Sequence, residues 1–146
     1  MSDNGIMRKF YSGATRSSEG GKPDYEGYLS PLAVEAYGEY MLSHQKQADG
    51  TMRPSDNWQK GIPLASYMKS MWRHFLQVWK LHRGYEVKSP EDGHPVTVDE
   101  ALCGLMFNVQ GMLDATIRGR LRLGVRFGED NRRHARTRQA KSPEVL

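Results

Sequence analysis

Glu35 and Glu39 stand four residues apart in the stretch PLAVEAYGEYM. On a helix this spacing places both carboxylates on one side, diverging from the side of Ala33, Tyr37 and Tyr40. Aligned carboxylates suit a hard divalent cation such as magnesium or manganese, which takes oxygen ligands and bridges phosphates. A solvated polar face is the commoner setting for such a pair. A second group lies in TVDEALCGLMFNVQG, where Glu100, Gly104, Asn108 and Gly111 form one helical strip beside an apolar stripe. An acid, an amide and two residues without bulk can line a groove. Glycine inside a helix costs about 1 kcal/mol relative to alanine, so close helix packing or close approach of a ligand has to offset it. Glu100 is open to two roles, ligand or capping residue, because Thr97-Val98-Asp99-Glu100 has the Thr-x-x-Glu form that begins helices.

Groups suited to a nucleotide lie between these two. In SDNWQKG, Trp58 offers a plane for base stacking, Asn57 an amide for base edges and Lys60 a charge; Trp58 serves equally as a plug between helices. Lys69 and Arg73, one helical turn apart, can meet phosphates or form a solvated basic face. His74, at the edge of an apolar sector with Tyr67, Met71 and Val78, is either a ligand or a satisfied structural group. Further upstream, SEGGKPDYEG puts two glycines beside Lys22, a combination that lets backbone amides approach an anion. It lacks the phosphate-loop spacing that ends in Gly-Lys-Ser/Thr, and Pro23 follows the lysine. No Ser/His/Asp or Cys/His nucleophile pattern stands out, so covalent catalysis is disfavoured.

Three helices are needed to position these residues. Ser30-Pro31 opens the first, expected over 31–47, with serine as cap and proline at the first helical position. The second, over 63–82, has the strongest pattern: Leu64, Met68, Met71, Trp72, Phe75 and Trp79 share one sector at ~100° per residue and are expected to form the core. Thr97 opens the third, expected to run to about Ile117 with a buried stripe of Ala101, Leu102, Leu105, Val109, Met112 and Thr116. The segments 48–61 and 89–95 read as loops by their Gly, Pro, Asp and Asn content. The expected fold class is all-α, a bundle of three long helices. Residues 1–28 form an extended arm, 29–117 the helical domain and 118–146 a basic C-terminal extension.

Composition agrees with one small domain. The 146 residues are 38% apolar and carry a formal charge of +4. Nine of the 21 Lys and Arg residues but only three of the 17 acids fall in 118–146, so this segment carries +6 and the rest about −2. The basic character thus suits the tail to nucleic acid, and the body need not bind it. The single cysteine, Cys103, excludes an internal disulfide and a cysteine zinc site within one chain. No apolar run reaches the ~20 residues that span a bilayer, and no secretory leader is recognisable. A cytoplasmic protein without membrane contact is expected.

The stretches EGGKPDYEGYLSPLAVEAYGEYM, SDNWQKGIPLASYMKSMWRHFLQVWKLHRG and DEALCGLMFN together resemble the phage dATP/dGTP diphosphohydrolase family. That family is similar to the all-α MazG-like pyrophosphohydrolases. The likeness spans about residues 8–117 and rests most on Gly21-Lys22, Asp56-Asn57-Trp58 and Arg73-His74. It implies a phage-encoded enzyme of the host cytoplasm that uses magnesium or manganese to hydrolyse purine deoxynucleoside triphosphates to monophosphate and pyrophosphate. Glu35 and Glu39 match the outer acids of the MazG-like Glu-Glu-x-x-Glu pattern, with Ala36 replacing the middle one; Glu100 matches the first position of Glu-x-x-Asp, with Cys103 at the last. The implied metal and catalytic residues are Glu35, Glu39 and Glu100, with Asp99, Asn108 or His74 completing the shell. Lys22, Lys60, Lys69 and Arg73 would meet phosphates, Lys22 on a flexible flap, and Asn57 and Trp58 the base. Three helices rarely enclose a nucleotide alone, so a homodimer or tetramer meeting across the Gly104/Gly111 face is expected. A rival expectation is a non-catalytic phage accessory protein that binds nucleic acid or a host factor through its basic tail.

Overall fold

Proline and glycine punctuate the chain at the points where its elements change. In a computed structural model, the described residues are 7–17 and 20–122, with side chains described as far as residue 119. The chain divides into two compact units, residues 1–34 and 35–146.

The first unit departs from the all-α expectation. Strands β1 (Met7–Lys9) and β2 (Thr15–Ser17) pair antiparallel, with Met7 opposite Ser17 and Lys9 opposite Thr15. Gly13, at φ +86°, turns the chain between them, and Phe10 N–H donates to Ala14 O at 2.8 Å. A left-handed glycine within a short polar turn suffices for this hairpin; six residues of strand are too few to show as an alternating pattern. The one-turn helix α1 (Tyr25–Tyr28) follows, capped by Asp24, whose carboxylate accepts from Gly27 N–H at 3.0 Å.

Helix α2 (Pro31–Ser43) starts where Ser30 and Pro31 place it, with Ser30 Oγ accepting from Ala33 N–H at 3.3 Å. It ends four residues before the expected Gln47. Ser43 Oγ and His44 Nδ1 both donate to Tyr40 O at 2.8 Å, closing the last turn. The chain then reverses through Asp49-Gly50, Gly50 at φ +84°, so that Lys46 bridges to Met52.

Helices α3 (Leu64–His82) and α4 (Val98–Arg122) form the principal helix pair. Gly84, at φ +81°, ends α3, with its N–H donating to Leu81 O and Tyr85 N–H to Lys80 O, both at 3.0 Å. Residues 87–96 double back on themselves, Val96 N–H meeting Val87 O at 2.8 Å. This buries Val87 and Val96 with Ala101, against Val78 and Leu81. Thr97 Oγ1 accepts from Glu100 N–H at 3.2 Å and starts α4. Helix α4 runs five residues past the expected end, supported by Arg118 Nε on Asp114 Oδ2 at 2.6 Å, an i,i+4 pair. The remainder of the expected basic extension, 123–146, lies outside the described residues.

The two helices meet on different faces from those expected. Helix α4 turns its strip of small and polar residues inward: Gly104, Asn108 and Gly111 are buried, while Leu102 and Val109 of the apolar stripe are exposed. A Cβ on Gly104 would stand 2.6 Å from His74 Cε1, and one on Gly111 would overlap the Tyr67 ring. The glycines thus admit two α3 rings against the α4 backbone, so the Gly104/Gly111 face is covered within the chain and is not free to join subunits. The price is that Leu64, Met68, Trp72, Phe75 and Trp79, expected in the core, remain exposed, Trp72 at 67%.

Candidate functional site

Five segments of the second unit enclose a cavity of about 300 Å³. The end of α2 supplies Tyr40 and His44, the following loop Arg53, Asn57 and Trp58, α3 Ser70, Arg73, His74 and Gln77, and α4 Glu100, Phe107 and Asn108; Glu91 and His94 come from the 87–96 turn. Each group arrives through local geometry. Residues 70, 73, 74 and 77 form one strip of α3 by their i, i+3, i+4, i+7 spacing. The reversal at 46–52 carries Arg53 back beside α2, where its N–H donates to Gln45 O at 2.8 Å. A short 3-10 turn, Asn57–Lys60, holds Asn57 and Trp58 half-buried. Tyr40 and His44 rings lie 4.1 Å apart, fixed by the bond from His44 to the Tyr40 carbonyl.

The electrostatics divide into a basic wall and a pinned acid. Arg53, from the loop, and Arg73, from α3, both line the cavity. On the same wall, His94 donates from both ring nitrogens, Nδ1 to Asp92 Oδ1 at 2.5 Å and Nε2 to Glu100 Oε1 and Oε2 at 2.9 and 3.0 Å. The Asp92 bond, followed by the Glu100 bond, pushes the His94 pKa up; the His94 bond draws that of Asp92 down. This geometry decides between the two roles of Glu100: its N–H is capped by Thr97, but its carboxylate turns to His94 and does not complete a capping box. Burial holds His74 below the usual histidine range, against the bond from its Nδ1 to Gln77 Oε1 at 2.9 Å. Burial, then Glu100 and Cys103, push Tyr40 up to about 12, with Arg73 opposing. At neutral pH the cavity therefore holds neutral His74 and Tyr40, which can donate and accept, beside two guanidinium groups that only donate.

Of the residues singled out in the sequence, Asn57, Trp58, Arg73, His74, Glu100 and Asn108 share this wall. Asn108 is buried, with Nδ2 on Gly104 O at 2.7 Å. Lys60, Lys69 and Asp99 are exposed and do not line it; neither do Glu35 and Glu39, which are exposed on α2. Lys22 belongs to the first unit, where its Nζ donates to Ser17 Oγ at 2.9 Å. Among the described residues no group of three or more His, Cys, Asp or Glu side chains is placed to hold a metal ion. The implied ligands Glu35, Glu39, His74, Asp99 and Glu100 do not fit a magnesium site within one chain, since Glu100 is held by His94 and the α2 acids lie outside the wall. Tyr40, His44, Arg53, Gln77 and His94 also line the wall, though their types alone mark no role for them in the sequence. Gln77 was within reach as the i+4 neighbour of Arg73; Arg53 and His94 come to the wall only through the two chain reversals.

No helix among the described residues is long and apolar enough to cross a membrane. Comparison with protein-family models, curated proteins and solved structures finds no match to this chain.

Proposed function

We propose that the cavity in residues 35–122 binds a purine deoxynucleoside triphosphate and that the protein hydrolyses it to monophosphate and pyrophosphate. The observation that carries this reading is the meeting, around one cavity, of an indole, four side-chain amides and two arginines drawn from separate segments. Trp58 stacks on the base and Asn57 reads its edge. Arg53 and Arg73 meet phosphate oxygens through charge-assisted, forked hydrogen bonds. Neutral His74 and Tyr40 complete the polar contacts. A cavity of about 300 Å³ lies at the lower end of small-molecule sites, enough for a base and sugar with the phosphates toward the arginines.

In hydrolysis to pyrophosphate, water attacks the α-phosphorus, the bond to the bridging oxygen of the β-phosphate breaks, and pyrophosphate leaves. The arginines stabilise the charge that develops on the phosphate oxygens. Magnesium or manganese belongs to the proposal through the family resemblance, and no step is assigned to it. The same resemblance makes the protein a phage-encoded homodimer or tetramer of the host cytoplasm.

The test is to incubate the full chain with each deoxynucleoside triphosphate and magnesium or manganese, and to resolve products by anion exchange. Monophosphate and pyrophosphate from the purine substrates are expected. Arg73→Ala should weaken binding by about 10- to 100-fold, the loss of a charge-assisted bond. No turnover and no calorimetric binding of any nucleotide would overturn the proposal. If the inactive protein were instead retained on DNA with a steep salt dependence, abolished by Arg132, Arg133, Arg136 and Arg138→Gln, it would be an accessory protein acting through its tail.

A further inference from the structure

Helix α3 is apolar around about two-thirds of its circumference, at ~100° per residue, yet only one strip of it packs on α4. The adjoining strip carries Met68, Trp72, Phe75 and Trp79, all exposed, and no charged side chain. Helix α4 turns the same way: Leu102 and Val109 are exposed beside Leu105, and Leu105 lines one wholly apolar groove with Met68, Met71, Trp72 and Phe75. The hairpin of α3 and α4 thus presents a continuous two-helix apolar face.

The interior does not make up for this. Among the described residues five apolar side chains are buried, and Tyr67 is the largest of them. We infer that this face is the self-association surface of the protein, covered by the α3–α4 hairpin of a second copy. The area argues for it. With exposures from 42% to 67%, the six side chains Met68, Trp72, Phe75, Trp79, Leu102 and Val109 offer roughly 600 Å² per copy, taking aromatic side chains at 150–250 Å² each. Two such faces with a surrounding rim reach the 1,200–2,000 Å² of a stable interface. A two-fold axis lays the patch upon itself, so one apolar surface is its own complement. Charge argues the same way. Helix α3 has no acidic residue, and its Lys69, Arg73 and Lys80 lie on the neighbouring strip, outside the contact, while an uncharged strip has nothing to offer a phosphate backbone. The inference rests on this face alone and holds whatever the cavity binds.

Sedimentation equilibrium of the full chain tests it without any nucleotide. The wild type should be dimeric at micromolar concentration and its melting temperature should rise with protein concentration. Trp72→Glu, at an outward position, should raise the dimer dissociation constant by at least about 100-fold, as loss of a central aromatic anchor does. Tyr85→Ser, also exposed but outside the strip, should leave it unchanged. If Trp72→Glu fails to fold, the concentration dependence of wild-type melting decides. A monomer with concentration-independent melting, or a dimer that survives Trp72→Glu, overturns the inference. So does a monomer that binds anionic phospholipid vesicles through Trp72, which would assign the face to lipid.

Discussion

Alanine at Gly111 and alanine at Gly38 should change stability in opposite directions. Both glycines lie inside helices, and each substitution gains about 1 kcal/mol of helix propensity. At Gly38 nothing lies within 4 Å of the new Cβ, so the gain stands. At Gly111 the Cβ overlaps the Tyr67 ring, and Tyr67, 2% exposed, can yield only by leaving the helix interface. Overpacking costs about 1–3 kcal/mol and partial exposure of a buried aromatic about 1.5–3 kcal/mol; since the ring relieves one by incurring the other, the cost is about 2–3 kcal/mol. The net effect is a loss of about 1–2 kcal/mol at Gly111 against a gain of about 1 at Gly38. At about 3 °C per kcal/mol for a chain of this length, Gly111→Ala should melt about 3–6 °C lower and Gly38→Ala about 3 °C higher. Circular dichroism melts at one fixed protein concentration read this directly. A Gly111→Ala protein that melts at or above wild type would refute the assignment of the glycine strip to α3–α4 packing.

Three further outcomes follow from the site and from the buried thiol. The His94 clasp is pH-dependent at both ends. Because the His94 pKa is raised, its contribution is fully present below the ordinary histidine value of about 6.5 and is lost as pH rises through the raised value. Because the Asp92 pKa is lowered, the other end is lost only as pH falls through that lowered value. Hydrogen exchange of the Val96 amide, corrected for intrinsic rate, should accelerate above neutral pH in the wild type and show no such transition in His94→Gln; a His94 ring that titrates at or below about 6.5 by NMR would contradict the clasp. Cys103 is buried and its thiol pKa is raised by burial, then by Asp99, so it should react with a disulfide reagent far more slowly than free cysteine at pH 8 until the protein unfolds. Trp58→Ala should weaken nucleotide binding by about 5- to 100-fold, equivalent to one lost stacking partner, with the circular dichroism spectrum unchanged.

Local signals in the sequence located the helices more reliably than their faces. Pro63 and Gly84 bound α3, and Thr97 starts α4, because caps and breakers act over one turn. The inward face of α4 went the other way because apolar content is a guide to burial only when the partner's shape is neutral. Here the partner presents the rings of His74 and Tyr67, and the strip with no bulk receives them. Part of the cavity wall was legible for a similar reason. Asn57, Trp58, Arg73, His74, Glu100 and Asn108 are conspicuous as residue types. Arg53 and His94 are ordinary until the Asp49-Gly50 reversal and the 87–96 turn bring them back, and no period or motif marks such a return. Glu35 and Glu39 do share a side of α2, as their spacing requires; a shared side does not say what it faces.

The chain has three indoles, and their placement divides them by event. Trp58 sits half-buried in the cavity wall, while Trp72 and Trp79 lie open to solvent on the other helix face. A base stacking on Trp58 would quench emission with little change of colour, whereas desolvation of Trp72 and Trp79 would shift emission to the blue. The protein thus carries its own pair of optical reporters, one for occupancy and one for assembly, separable by wavelength without any added dye.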